Sequence, residues 1–144
     1  MNMKAKTSVI HFNDIPLNTD WQPGSGLQPS ELPNTPGIYA EIHWPQKGVR
    51  VGETGISVRN KIRHDIRWFK AMHERTAPEA QLRRTLPIAE IAKAKGHSAF
   101  DFYLVSDDPR LSDKLLRQEC ERFLFAWLDK SDQYVNWNRQ RSWR

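Results

Sequence analysis

The sequence from residue 37 to residue 55 reads GIYAEIHWPQKGVRVGETG. Apolar and polar side chains alternate over residues 37–44, which predicts a strand with one buried face and one solvent face. Residues 45–48 are typical of a turn, and Val49 and Val51 then predict a second short strand with the valines toward the core. The stretch therefore predicts a β-hairpin. The side chains expected on the solvent face of its first strand are Tyr39, Glu41 and His43.

A helix is expected directly after this hairpin. Ser57 is suited to cap its N-terminus. Its apolar residues recur at helical spacing and predict one buried stripe along it, made of Val58, Ile62, Ile66 and Phe69.

Three further elements follow in the pattern. A second helical stretch starts near Pro78, is broken before Pro87 and ends at Gly96. Alternation over residues 100–105 predicts a third strand. A long helix is expected from Asp108-Pro109 to about Asp129, with an apolar stripe formed by Leu116, Cys120, Phe123, Leu124 and Trp127. The expected fold class is α/β (α+β), with a small three-stranded, mainly antiparallel sheet flanked by helices.

The N-terminal segment differs in composition from the rest. Residues 8–12 are apolar and β-prone, as in an edge strand, and five of the nine prolines fall between Pro16 and Pro36. Such a composition resists helix and ladder pairing and predicts a connector lying over the domain. One domain of residues 1–144 is expected. It divides into an N-terminal strand and connector (1–35), a core (36–129) and a basic C-terminal tail (130–144).

Charge and cysteine content narrow the classes of function. The chain carries 22 Lys and Arg against 17 Asp and Glu, a formal net charge of +5, which favours a polyanionic partner but equally suits an ordinary solubilising surface. Cys120 is the only cysteine, so an intrachain disulfide and a multi-cysteine metal site are excluded, and a reducing cytoplasm is expected. No membrane association is expected. The six tryptophans suit either a bulky core or exposed stacking surfaces.

Two short motifs in the hairpin are spaced as in a known enzyme family. Gly37-Ile38-Tyr39 is followed after ten residues by Arg50-Val51-Gly52, then by Glu53-Thr54-Gly55 and an amphipathic helix. Together these resemble the core of the GIY-YIG endonuclease superfamily over residues 36 to about 70, and more loosely over the later strand and last helix. The resemblance implies a nuclease-like fold and hydrolysis of nucleic-acid phosphodiester bonds, with DNA as the expected partner and Mg²⁺ or Mn²⁺ as cofactor.

The resemblance also implies catalytic roles. Tyr39 matches the family's first Tyr, which activates a water or acts as a general base. Arg50 stands where the family usually has Tyr, and its side chain points away from the valine face, as that Tyr would, so it is expected to bind phosphate. Lys61 falls at the family's helical Arg and Asp65 at its His. His64 borders the same helix face as Lys61 and is expected to be a phosphate ligand or an acid.

Glu121 is the expected metal ligand. Residues 121–125 are similar to the family's pattern of a metal-binding Glu, two residues and two apolar residues. Glu119 is the alternative ligand, and an ordinary surface carboxylate is the alternative for both. Asn136, with Asn138 as a competitor, is similar to the Asn that often closes the family's domain.

Further cations are expected to contact the nucleic-acid backbone. Four of them fall within one sector of roughly 80° on the helix after the hairpin, which suits phosphates but equally suits a solvated face. These four are Arg59, Arg63, Arg67 and Lys70. The C-terminal tail carries Arg139, Arg141 and Arg144 beside Trp137 and Trp143. It either adds phosphate and stacking contacts through these residues or frays.

The main expectation is therefore a metal-dependent endonuclease, and two other functions stay open. A degenerate relative would bind nucleic acid without cutting it, since positions 50, 61 and 65 depart from the family pattern. A protein-interaction module would contact a partner through a tryptophan-rich surface and the proline-rich connector.

Overall fold

The computed structural model describes residues 9–83 and 86–138, which form an α+β fold with two sheets and four α-helices. The strands are β1 (Val9–Phe12), β2 (Ile15–Asn18), β3 (Gly37–His43), β4 (Gly48–Thr54), β5 (Asp101–Ser106) and β6 (Val135–Asn136). The helices are α1 (Val58–His73), α2 (Glu79–Leu82), α3 (Pro87–Lys95) and α4 (Lys114–Asp129). In this part of the chain no helix is both long and apolar enough to cross a membrane.

The larger sheet has the strand order β5-β3-β4-β6 and contains the predicted hairpin. β3 and β4 pair antiparallel, with Tyr39 opposite Gly52 and Glu41 opposite Arg50, and β5 pairs antiparallel with the other side of β3. β6 adds a short parallel edge, held where the Val135 N–H donates to the Lys47 carbonyl at 2.8 Å. The sheet thus has one strand more than expected, because a strand of two residues is too short to show a periodic pattern.

Strand β3 is buried on both faces, so the expectation of a half-buried strand is wrong. Every residue from Gly37 to His43 is buried, and Tyr39 and Glu41 have no exposed surface. Ile38 and its neighbours on one face pack against α4 and the β1–β2 hairpin, whereas Tyr39 on the other face packs with α1 and α3 residues. The alternation of polar residues predicted a solvated face, but helices cover this face of β3 and bury its polar side chains.

Helix α1 begins where expected but buries a different stripe. The Ser57 hydroxyl accepts from the Asn60 N–H at 3.1 Å and caps the helix. Val58, Ile62 and Phe69 are buried as predicted, but Ile66 is only partly buried, and the rest of the buried face is formed by Asp65 and Met72. The stripe is rotated because α1 packs on α3 as well as on the sheet.

Helix α4 begins later than predicted. Asp108 caps a short 3₁₀ turn over Pro109–Ser112, where its carboxylate accepts from the Arg110 N–H at 2.9 Å. Asp113 then caps α4 itself by accepting from the Leu116 N–H at 2.9 Å. Two capping aspartates so close together split what the pattern presents as one helix. The buried face of α4 is also shifted, and consists of Arg117, Cys120, Leu124, Phe125 and Leu128.

The N-terminal segment is more ordered than a connector. Residues 9–12 pair with β2 in a two-stranded sheet of their own, so they are not an edge strand of the main sheet, and β2 lies inside the predicted connector. The following loop runs along β5: the Leu27 N–H donates to the Phe102 carbonyl at 2.8 Å and the Tyr103 hydroxyl donates to the Gln22 carbonyl at 2.6 Å.

The tryptophans of the described residues serve the core. Trp21 and Trp137 are buried, and Trp44, Trp68 and Trp127 are half-buried. Trp21 lies at 6.1 Å, ring centre to ring centre, from Trp127. Trp137 stacks on His43 at 5.9 Å, so this residue belongs to the packed domain and not to a tail. The remaining predicted tail residues, Arg139, Arg141, Trp143 and Arg144, lie outside the described residues.

Candidate functional site

One cavity of about 650 Å³ brings together most of the expected catalytic residues. It lies between α1, α3, α4 and the edge of β4. Four of the five residues expected to act in catalysis line it, although they come from three different elements: Arg50, Lys61, His64 and Glu121. Asp65 lines it as well. The chain therefore converges on a single site that mixes cations and carboxylates.

Tyr39, the fifth expected catalytic residue, is buried beneath this cavity. Its ring lies over Gly52, where any Cβ would collide with the phenol. Its hydroxyl donates to Asp65 Oδ2 at 3.4 Å. Burial raises the pKa of Tyr39 well above its ordinary value, and the carboxylates of Asp65 and Glu41 add to the shift while Arg50 opposes it. Tyr39 therefore keeps its proton at neutral pH and reaches the cavity through Asp65.

Four charged side chains form what we call the Arg50 cluster: Glu41, Arg50, Lys61 and Asp65. Arg50 Nη1 lies 3.0 Å from Glu41 Oε1 and 3.4 Å from Asp65 Oδ2. Lys61 Nζ lies 3.7 Å from Asp65 Oδ1. Each cation of the cluster thus already faces a carboxylate.

Glu41 was not expected in this cluster, because its strand face was predicted to be solvated. The carboxyl group is completely buried, and Oε2 has no hydrogen-bond partner among the described residues. Burial raises the pKa of Glu41 well above its ordinary value, with a further rise from Asp65 and an opposing effect of Arg50. The hairpin register does contain the signal, since Glu41 and Arg50 are directly opposite each other and cross-strand neighbours of opposite charge pair.

A second group, which we call the Glu121 cluster, consists of Glu53, Arg117 and Glu121. Arg117 is buried, forms an ion pair with Glu53 and donates to the Leu111 carbonyl at 3.0 Å. Glu121 makes no ion pair with another described residue. Burial and, to a smaller extent, the charge of Glu53 raise the pKa of Glu121 to about 7, and Arg50 is the strongest opposing charge. Nothing in the sequence pattern around Arg117 indicated this ion pair, because its partner lies on a distant strand.

The fit to a divalent cation can be judged from these carboxylates. Among the residues that the structure describes, no group of three or more His, Cys, Asp or Glu side chains is placed to hold a metal ion. A single carboxyl group at Glu121 suits Mg²⁺, which keeps several of its own waters, and a bound cation would favour the charged form of this carboxyl.

The remaining lining residues support the mouth of the cavity. His64 is exposed and stacks on Trp68, with ring centres 6.0 Å apart and planes 27° from parallel. Asn138 lines the cavity and its Oδ1 accepts from the Val51 N–H at 3.0 Å. Asn136 does not line it and donates instead to the Phe125 carbonyl at 3.2 Å. Of the two asparagines considered, Asn138 is the one at the site.

The basic stripe of α1 does not line the cavity. Arg63, Arg67 and Lys70 are exposed, and Arg59 is half-buried with its Nε donating to the Leu32 carbonyl at 3.0 Å. At 100° per residue the stripe lies roughly opposite the helix face that carries Lys61 and Trp68. A contact between the stripe and a nucleic-acid backbone stays a prediction.

Glu119, the alternative metal ligand, is exposed on α4 and does not line the cavity. The structure thus separates the two candidate carboxylates clearly. No protein-family model, curated protein or solved structure matches this chain.

Proposed function

We propose that this protein is a metal-dependent endonuclease that hydrolyses nucleic-acid phosphodiester bonds, with DNA as its first expected substrate and a fold of the GIY-YIG type. One observation carries the proposal: Arg50, Lys61, His64 and Glu121 line the same cavity. Phosphodiester hydrolysis needs cations near the phosphate, a group that accepts the proton of the attacking water, and a group that protonates the leaving oxygen. The cavity offers a candidate for each.

Each residue takes a role from its position. Arg50 and Lys61 contact the phosphate. Asp65 faces the cavity and accepts the proton of the attacking water, while Tyr39 orients that carboxylate by donating to it at 3.4 Å. His64, exposed at the mouth, donates a proton to the oxygen that leaves phosphorus. This moves Tyr39 from the expected base to a positioning residue, because its hydroxyl is buried and keeps its proton.

Glu121 is the residue that would hold Mg²⁺ or Mn²⁺. When bound, such an ion supplies Lewis-acid stabilisation of the charge that develops on the phosphate. The negative charge of the neighbour Glu53 favours a cation at this position, and the same charge raises the pKa of Glu121 when no cation is bound.

A second function is favoured by the ion pairs of the Arg50 cluster. Arg50 and Lys61 must exchange contacts with Glu41 and Asp65 before they bind a phosphate. The free energy needed to break these ion pairs weakens phosphate binding at the site. This is consistent with a protein that binds nucleic acid without cutting it. Binding without cleavage is therefore the alternative to hydrolysis.

A cleavage assay distinguishes these functions. The full chain is incubated with plasmid, single-stranded DNA and RNA, with and without Mg²⁺ or Mn²⁺. We expect metal-dependent cutting that falls at least about 100-fold in Glu121→Gln and about tenfold in Tyr39→Phe. Glu119→Gln, on the exposed face of the same helix, is the matched control and keeps its activity. Salt-sensitive binding with no cleavage of any substrate by the wild type would support the binding function instead.

A further inference from the structure

The cavity is larger than a phosphate and a metal ion require. Its volume of about 650 Å³ lies within the range of sites that enclose organic ligands, roughly 300–1,000 Å³. Along α1 the charged lining residues Lys61, His64 and Asp65 come before the apolar ones. The apolar part of the lining, which we call the apolar wall, has no role in the proposed hydrolysis and is formed mainly by Trp68, Phe69, Met72, Ile88, Ala89 and Trp137.

The apolar wall is built by packed elements and not by loops alone. Trp68, Phe69 and Met72 project from α1, and Ile88 and Ala89 project from α3. All of these except Trp68 are buried, so the floor of the wall is rigid. Trp68 is half-buried at the rim, and its ring is therefore the aromatic surface that an incoming ligand meets first.

The aromatic rim and the phosphate contacts are adjacent. Trp68 stacks with His64 at 6.0 Å between ring centres. His64 lies about one helical turn and Trp68 about two turns beyond Lys61 on the same face of α1. A ligand that reaches across the cavity therefore has an anionic part next to Lys61 and a flat apolar part next to Trp68. A nucleotide has this construction, with a charged phosphate joined through a sugar to a base whose face stacks on aromatic side chains.

We propose that the apolar wall is a binding site for one unstacked nucleobase, whose adjoining phosphate contacts Arg50 and Lys61. The inference rests on the proposed function and names its substrate class: a single strand, or a duplex locally unpaired at the cut. A base inside a duplex is covered by its neighbours on both faces, so its face reaches the apolar wall only after it leaves the stack.

Binding of small probes tests the site without depending on cleavage. The full chain, free of divalent metal, is titrated with deoxyadenosine 5′-monophosphate, with deoxyribose 5-phosphate, which lacks the base, and with deoxyadenosine, which lacks the phosphate. Base stacking predicts at least about fivefold tighter binding of the nucleotide than of the sugar phosphate. The nucleotide also binds more tightly than deoxyadenosine. Equal affinity for the nucleotide and either partial compound overturns the proposal.

Substitutions locate the base. Trp68→Ala removes the fivefold preference, whereas Trp68→Phe, which keeps a ring, retains most of it. Asn60→Ala, on an exposed part of α1 outside the cavity, is the matched control and leaves the preference unchanged. Thermal unfolding checks that each variant is folded, and because Trp68 is only half-buried, its truncation leaves the fold intact. A folded Trp68→Ala variant with an unchanged preference overturns the assignment.

The outcomes separate this inference from the proposed function. Cleavage without any preference for the nucleotide over deoxyribose 5-phosphate leaves the endonuclease standing and refutes the base site. A clear preference without cleavage supports the base site in a protein that binds and does not cut. Among substrates, single-stranded DNA is cut at least as fast as the matching duplex, and strict restriction to intact duplex contradicts the inference.

Discussion

The Arg50 cluster and the Glu121 cluster use the same residue types but balance their charges differently. Arg50 and Glu53 lie three positions apart on β4, so their side chains leave opposite faces of the strand. In the Arg50 cluster two cations face two carboxylates. In the Glu121 cluster one buried Arg pairs with Glu53, and Glu121 remains with a pKa of about 7. The comparison teaches that every cation of the Arg50 cluster faces a carboxylate, whereas the Glu121 cluster holds one carboxyl group that has no ion-pair partner among the described residues.

Replacement of Arg117, the buried cation of the Glu121 cluster, is expected to lower the stability of the fold most. Arg117→Met leaves Glu53 without its buried cation and leaves the Leu111 carbonyl without its donor. Loss of one partner of a buried ion pair costs about 4 kcal/mol of the free energy of unfolding, measured by urea denaturation. Arg110→Met, which removes an exposed Arg paired with Asp108, is the control and changes stability little. Equal losses in the two variants would show that Arg117 is not a structural cation.

Replacement of Arg50 is expected to cause the second-largest loss of stability. Arg50→Met leaves the buried Glu41 without its ion pair, and because a third of the Arg50 side chain is exposed, we expect a loss of about 3 kcal/mol. Glu41→Gln in the same chain restores more than half of this, since no acid then remains buried without a partner. Arg63→Met on the exposed face of α1 stays within about 0.5 kcal/mol of the wild type. If Arg50→Met alone were as stable as Arg63→Met, the ion pairs of the Arg50 cluster would not stabilise the fold.

The smallest effect is the pH dependence of stability that Glu121 contributes. A Glu121 pKa of about 7 in the folded protein, against about 4.3 in an unfolded chain, means that the folded state holds the proton more tightly. The stabilisation that the protonated Glu121 carboxyl contributes is therefore fully present below about pH 4.3 and is lost as the pH rises through 7. In metal-free buffer, Glu121→Gln gains thermal stability relative to the wild type between pH 5 and pH 8. Glu119→Gln shows no such trend, and parallel pH profiles of wild type and Glu121→Gln would disprove the shift.

Local patterns predicted the elements that build the site. Alternation and the turn at residues 45–48 predicted the β3–β4 hairpin, and Ser57 predicted the start of α1. The same alternation misassigned the second face of β3, because a pattern shows which residues are polar and not what covers them. Glu41 shows the difference: its position opposite Arg50 follows from the hairpin, but its complete burial follows from the helices above it.

The convergence of distant residues was partly predictable. Lys61, His64 and Asp65 share a helix, so their proximity follows from helical spacing, and the structure places Arg50 and Glu121 beside them. The apolar wall was not predicted, because Trp68 and Ala89 belong to helices whose packing angle no local pattern contains. The pairing of Arg117 with Glu53, sixty-four positions apart, was missed for the same reason.

The sequence by itself determined the hairpin, the helix cap at Ser57 and the residue types that phosphate chemistry needs, since these depend on neighbours within a few positions along the chain. Only the tertiary structure decided which charges are compensated. Asp65 forms ion pairs with two cations, whereas Glu121 forms none with another described residue and its pKa is raised mainly by burial. The physical reason is that burial and Coulomb interactions depend on distances in space, which are set at this site by the packing of α4 against β4.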